Sequence, residues 1–472
     1  MSRSNISGYL WCLDAGHVAY GIRNGEFSAR EVVTACLGRL EETNPIINAL
    51  TEVRPEAALE AADASDRAVA KNEELGPLHG VPVTIKGNVD VEGWATVNGC
   101  AAFTENIAPA HSSCVQNWLH AGVIILGHTN TPEFCVRWET SNEVFGVTEN
   151  PWKSGYTPGG SSGGAAASLA VGITPLAQGN DLGGSLRHPA QACGIASIRP
   201  SQGRVPNWTA TAPPRSIGIQ LMEVQGPMAR RVSDVRLGLQ AMSGRDWHDP
   251  WWVPAPLEAR NEDKPIVALV VDPAGGGVDQ QVALGVKHAG ELLGNAGYQV
   301  EEIEPPSVSE AADIWRMICI GELLTHLEPA VKDICGPLLL RTLDHYRAAL
   351  PNFSTENYNN AFAQRENVLR DWLGFMERYQ LIVAPVSTEP PLMTDADIES
   401  PDATLSVIDS FRMTVAINAL GLPAAVVPVG IEDHFPQVVQ IIGAPFEEMR
   451  CLAAAEAIEM QVEPLTPINP QI

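Results

Sequence analysis

Apolar positions in this chain recur with a helical period in some segments and alternate in others, and the two kinds of segment follow one another. After Ser28, the residues Val32, Val33, Cys36, Leu37 and Leu40 fall on one face of a helix. Ser28 and Glu31 form a capping-box pattern at its start, and Asn44-Pro45 is expected to end it. A second helix, Ala-rich and amphipathic, is predicted from about Pro55 to Leu75. The β-branched segment Val81 to Lys86 predicts a strand, and Val123 to Gly127 predicts a buried one after a helix containing Cys114 to His120. The alternation continues with a strand over Ile266 to Val271, a helix over Val282 to Ala296 and a strand over Gln299 to Ile303. Two further apolar runs, Leu381 to Pro385 and Ala424 to Pro428, read as buried strands ended by proline. Such alternation predicts an α/β fold, a central mixed β-sheet covered by helices on both faces.

The stretch from about 307 to 379 departs from this rhythm. It is rich in helix formers and carries Trp315, Met317, Leu323, Tyr346, Trp372 and Phe375, which are core residues by default, with a minority expected to line a pocket. No tandem repeat or low-complexity linker divides the chain, so one large domain over residues 1–472 is expected.

Composition narrows the function classes. Of 472 residues, 45% are hydrophobic and 18% charged, as in a globular protein, and the formal net charge is -26. A surface so acidic repels phosphate backbones and anionic lipid, which argues against nucleic-acid and membrane partners. No run of about 20 apolar residues predicts a membrane span. The opening MSRSNISGYLW lacks the apolar core of a signal peptide. Nine scattered cysteines show no CxxC spacing, which fits a reduced compartment and gives no metal-ligand pattern. A cytoplasmic enzyme is the expectation, and a homodimer is compatible with the sequence.

The densest chemical signal lies in two glycine-serine loops. The first runs Thr157-Pro158-Gly159-Gly160-Ser161-Ser162-Gly163-Gly164 into an Ala-rich helix, and the second runs Gly179-Asn180-Asp181-Leu182-Gly183-Gly184-Ser185-Leu186-Arg187. Neither matches a phosphate-cradling loop, which needs GK[ST] or GxGxxG. The first satisfies GxSxG by letter, but a nucleophile elbow follows a strand, and the residues before Ser161 are loop-like. The second places consecutive backbone amides beside a hydroxyl, as an oxyanion hole next to its own nucleophile requires. Such a serine needs a base, and His188 stands too close in sequence to reach Ser185. A lysine buried at a strand end, such as Lys86, could serve if desolvation lowers its pKa.

With these loops in place, the chain resembles the amidase signature family. The likeness includes Leu78-His79-Gly80-Val81-Pro82-Val83-Thr84-Ile85-Lys86, Gly127-His128-Thr129-Asn130-Thr131-Pro132-Glu133-Phe134 and Asn150-Pro151-Trp152. Downstream it takes in Gly226-Pro227-Met228-Ala229-Arg230, Ile417 to Ala424 and Val439 to Gly443, covering residues 28–235 and 380–460, with 307–379 as a variable helical segment at the substrate pocket. The resemblance implies Lys86 as base, Ser161 as relay next to a cis peptide, and Ser185 as nucleophile. It implies an oxyanion hole of the Leu182, Gly183, Gly184 and Ser185 amides, and no metal or organic cofactor. Three positions depart from the family's pattern: Gly87 stands where aspartate is common, Asn180 where threonine or serine is usual, and Arg199 where lysine is frequent.

The supporting residues carry plainer expectations. Ser162 is a hydrogen-bonding neighbour of Ser161, Asp181 orients the second loop, and Arg187 makes an internal ion pair. The implied activity is hydrolysis of small aryl or alkyl amides, as small-molecule substrates, through an acyl-enzyme, with carbamates (urethanes) as an extension. The rival within the family is a glutamine-hydrolysing amidotransferase of the A type, which needs a partner chain. A rival of another class is an inactive binding protein on the same fold.

Overall fold

The computed structural model describes residues 7–258 and 264–471. The first six residues, which include most of the opening segment read above for a signal peptide, lie outside the described residues. Ser28 caps the helix Ala29–Ile47, with Glu31 N donating to Ser28 Oγ at 3.1 Å and Ser28 N to Glu31 Oε2 at 2.8 Å. Pro45 does not end this helix, which continues to Ile47 and stops at Asn48 in the left-handed region, φ 49°. A proline in the last turn forfeits little, because the chain exit is tied down by Asn44 Oδ1, which accepts from Ala49 N and Leu50 N. The next helix is Pro55–Ala70, shorter than its apolar pattern, because Asn72 turns left-handed at φ 54°.

Among the described residues eleven strands form one sheet: β1 Leu50–Val53, β2 Pro82–Lys86, β3 Ile124–Thr129, β4 Leu176–Asp181, β5 Ala196–Arg199, β6 Val224–Ala229, β7 Ile266–Leu269, β8 Gln299–Glu302, β9 Leu381–Pro385, β10 Ala424–Glu432 and β11 Phe435–Gly443. Their order is β1-β3-β2-β4-β6-β5-β10-β11-β9-β7-β8. The pairs β3·β2, β2·β4, β9·β7 and β7·β8 are parallel and the rest antiparallel, so the sheet is mixed. Strand β10 runs four residues past Pro428 to form a hairpin with β11. The proline is accommodated at an irregularity of register between Pro428 and Gly430, where a ladder bond is dispensable.

The central strands are buried on both faces, as their near-continuous apolar runs require. In β9, Leu381 and Val383 pack into one core cluster, whereas Ile382 and Ala384 pack into the other. Helices Val232–Met242, Gln280–Asn295 and Glu448–Glu459 cover the first face; Gly163–Ala170, Arg187–Cys193 and Arg412–Leu420 cover the second. The stretch after 307 is the helix Val308–Trp315 prolonged by two wider π-type turns, Arg316–Ile320 and Leu323–Leu327, then helices Pro337–Ala349 and Thr355–Met376. Among the described residues no helix is long and apolar enough to cross a membrane.

Candidate active site

Strands β2 and β4 run parallel side by side, so their carboxyl ends open at the same edge, where sheets of this kind place ligands. Lys86 is the last residue of β2 and Asn180 the last but one of β4. Lys86 is wholly buried, and its Nζ lies 2.7 Å from Ser161 Oγ and 2.7 Å from Asn180 Oδ1. Burial penalises the ammonium form and holds the Lys86 pKa below the ordinary lysine value, although Cys135, Glu223 and Asp181 act the other way.

Ser161 reaches this position from the loop before the helix Gly163–Ala170, and the Gly160–Ser161 peptide is cis. The loop is wedged in place: a Cβ on Gly160 would meet the Glu139 and Arg137 backbone at 2.5–2.6 Å. Ser162 points elsewhere, its Oγ lying 3.4 Å from Asn180 O. Of the two adjacent serines, only Ser161 meets Lys86. His188 is buried with its pKa pushed down to about 3, and its Nδ1 accepts from Gly160 N at 3.4 Å.

The second loop is organised around Asp181. This buried carboxylate accepts from Gly184 N at 2.8 Å, Leu186 N at 3.2 Å, Arg187 Nε at 3.0 Å and Asn418 Nδ2 at 2.7 Å. Burial alone would raise its pKa, but the charges of Arg187 and Arg199 outweigh burial and hold it well below the usual carboxylate range. Arg187 also donates to Thr414 O and Gln440 Oε1, each at 3.0 Å, so it is committed inside the protein.

Two indoles fix the loop's carbonyls. Trp315 Nε1 donates to Leu182 O at 2.9 Å, and Trp138 Nε1 donates to Gly183 O at 3.0 Å. The C=O and N–H of a trans peptide point in opposite directions, so each indole also aims the following amide. Trp315 thereby turns the Gly183 N–H away from its ring, and Trp138 turns the Gly184 N–H toward Asp181. Arg199 Nη1, bonded to Asp181 O at 3.0 Å, does the same for the Leu182 N–H. Of the four amides expected to face an oxyanion, that of Gly184 donates to Asp181 Oδ1 at 2.8 Å. The amides of Leu182, Gly183 and Ser185 have no partner among the described residues.

Ser161, Asn180, Leu182, Gly183 and Ser185 all line one cavity of about 950 Å³. None of the hydrogen bonds among the described residues joins Ser161 to Ser185. The wall is aromatic, with Phe103, Phe134, Trp138, Trp208, Trp315 and Tyr346, and Cys319, Leu323 and Val331 add apolar surface from the stretch after 307. Glu322 pins that wall by accepting from Ser216 Oγ, Gly218 N, Ile219 N and Tyr358 OH at 2.5–3.0 Å. Among the described residues no cluster of His, Cys, Asp and Glu is arranged to hold a metal ion. Trp138 and Trp315 had no signal as loop-holders in the sequence, since a lone tryptophan reads as core, and Asn418 lay in the Ile417 to Ala424 stretch with no role assigned to it.

A family model described as Amidase matches residues 31–452. The chain is 42% identical over 96% of its length, and 87% of the relative's, to an indoleacetamide hydrolase of Bradyrhizobium diazoefficiens. It is 30% identical over 95% of both chains to the A subunit of the glutamyl-tRNA(Gln) amidotransferase of Chloroflexus aggregans. Its fold superposes with a TM-score of 0.84 and 27% identity on a bacterial aryl acylamidase of the amidase signature family, covering 97% of this chain and 96% of that one.

Proposed function

The chain belongs to the amidase signature family, and from that premise we propose that it hydrolyses small aryl- or alkyl-bearing amides through an acyl-enzyme on Ser185. The observation that carries this reading is the Lys86–Ser161 contact of 2.7 Å at the floor of an aromatic cavity that Ser185 also lines. Neutral Lys86 takes the Ser161 hydroxyl proton, and Ser161 takes that of Ser185 as Ser185 Oγ bonds to the amide carbon. The oxygen that becomes negative meets the N–H groups of Leu182, Gly183 and Ser185, already aimed and needing no reorientation. As the C–N bond breaks, the proton returns through Ser161 to the departing nitrogen. Water then attacks the ester by the same relay and restores Ser185.

The aromatic wall favours an apolar acyl group, and the indoleacetamide hydrolase relative points to a primary amide on an arylacetyl group. Aryl carbamates present the same carbonyl to the same amides and form the extension of this reading. Labelling by a fluorophosphonate, lost in Ser185→Ala, separates an active hydrolase from a binding protein on the same fold. Turnover of indole-3-acetamide, acyl anilides, aryl carbamates and glutamine is then compared. Fast hydrolysis of the aryl amides is expected; fast glutamine hydrolysis without anilide or arylacetamide turnover would favour the amidotransferase reading suggested by the Chloroflexus relative.

A further inference from the structure

The structure assigns Asn180 as the positioning residue that directs the lone pair of Lys86 at Ser161. This rests on the reading of Lys86 as base. A neutral amine has two N–H donors and one lone pair, and it acts as a base only if the lone pair faces the proton to be taken. Lys86 Nζ has two oxygen neighbours, each at 2.7 Å. Asn180 Oδ1 is a carbonyl oxygen with no proton to give, so it must accept an N–H from Lys86. Ser161 Oγ carries a proton and is the neighbour the lone pair can face.

A second observation supports this orientation. Asn180 is almost fully buried and lines the cavity, yet its Nδ2 has no hydrogen-bond partner among the described residues. Were the amide flipped, Nδ2 would donate to the lysine lone pair and block the base. A buried donor left unpartnered is costly, and this one belongs to a residue that lines the same cavity as Ser161 and Ser185. The placement also explains why an uncharged residue stands here. A carboxylate at 180 would add a third negative group to Asp181 and Glu223, which already favour the lysine ammonium, with Arg215 paired to Glu223 at 3.1 Å. Gly87, adjoining Lys86, brings no charge.

The test is the pH dependence of the rate at which an alkyl fluorophosphonate labels Ser185, which requires no knowledge of the substrate. For the wild type the rate rises with pH through the apparent pKa of Lys86. Asn180→Asp is expected to move this midpoint upward by at least one unit, with the rate recovering at alkaline pH. Asn180→Leu, which keeps bulk but removes the acceptor, is expected to lower the rate at every pH by tenfold or more. Asn180→Thr, a shorter acceptor, is expected to recover much of that loss and shows that the position tolerates change without unfolding. An unmoved midpoint in Asn180→Asp, together with full rates in Asn180→Leu, would overturn the assignment. If instead Lys86→Ala keeps the wild-type midpoint, Lys86 is not the base, and the premise fails rather than the role of Asn180.

Discussion

A lysine with no exposed surface avoids the cost of a buried charge by pairing with a carboxylate or by giving up its proton. Among the described residues Lys86 has no carboxylate in hydrogen-bond contact, and its hydrogen-bond neighbours are a hydroxyl and an amide oxygen. With its pKa below the ordinary lysine value, the neutral, proton-accepting fraction grows as pH rises through the depressed value and is lost as pH falls. Lys86→Ala is therefore expected to lower the acylation rate by about 10²- to 10⁴-fold near neutral pH, and by much less at alkaline pH where hydroxide substitutes. Single-turnover acylation measured across pH checks this; an equal loss at both ends would make Lys86 structural. The choice between Ser161 and Ser162 is also a matter of single residues. The family register favours Ser161, but only the position of each Oγ separates two adjacent serines.

At the scale of elements, the helix Val308–Trp315 connects the pocket wall to the loop that carries Ser185. Its last residue holds Leu182 O through the indole N–H, and the same ring lies over Gly183, where a Cβ would sit 2.7 Å from Trp315 Cζ2. The position admits only glycine because the ring occupies the space of a side chain. Trp315→Phe removes the donor and leaves a smaller aromatic ring, so the Gly183 amide loses its aim while that part of the wall stays apolar. Both kcat and kcat/KM are expected to fall about tenfold, with KM nearly unchanged, less than the 10²- to 10³-fold cost of deleting an oxyanion donor outright. A rise in KM with kcat unchanged would instead mean that Trp315 serves substrate binding. Element existence was legible from periodicity, whereas element ends were not. The helix through Pro45 and the one ending at Ala70 differ from their patterns because an asparagine side chain and a left-handed turn, both local, decided where each stopped.

Across the whole molecule, Asp181 joins pieces far apart in sequence. Strand β4 supplies the carboxylate, the helix after Ser185 supplies Arg187, the helix Arg412–Leu420 supplies Asn418, and β11 supplies Gln440, which Arg187 also meets. Arg187→Met would leave a buried carboxylate without its main counter-charge. A loss of about 3–5 kcal/mol in unfolding free energy by urea titration is expected, the usual cost of removing one partner of a buried pair. A loss under about 1 kcal/mol would show that Asn418 and the loop amides suffice. The folded Asp181 pKa lies below the unfolded value, so its contribution to stability is fully present above the unfolded carboxylate range and is lost as pH falls toward the folded value. The wild type is therefore expected to lose stability on acidification over a range that Asp181→Asn no longer shows.

Periodicity and turn chemistry are local, and a residue a few positions away suffices to express them. The sequence alone thus determined the alternating helices and strands, the capped start at Ser28, the mixed α/β class and the two glycine-serine loops. Hydrogen bonds between distant segments are not written in any local pattern. Tertiary structure alone decided that Lys86 also meets Asn180, that Asp181 occupies the Gly184 amide, and that two tryptophans from separate segments hold the carbonyls of one loop. Those contacts form only when strands β2 and β4 lie side by side and the helices close over them. Their directions depend on a few tenths of an ångström in packing, which no spacing in the chain encodes.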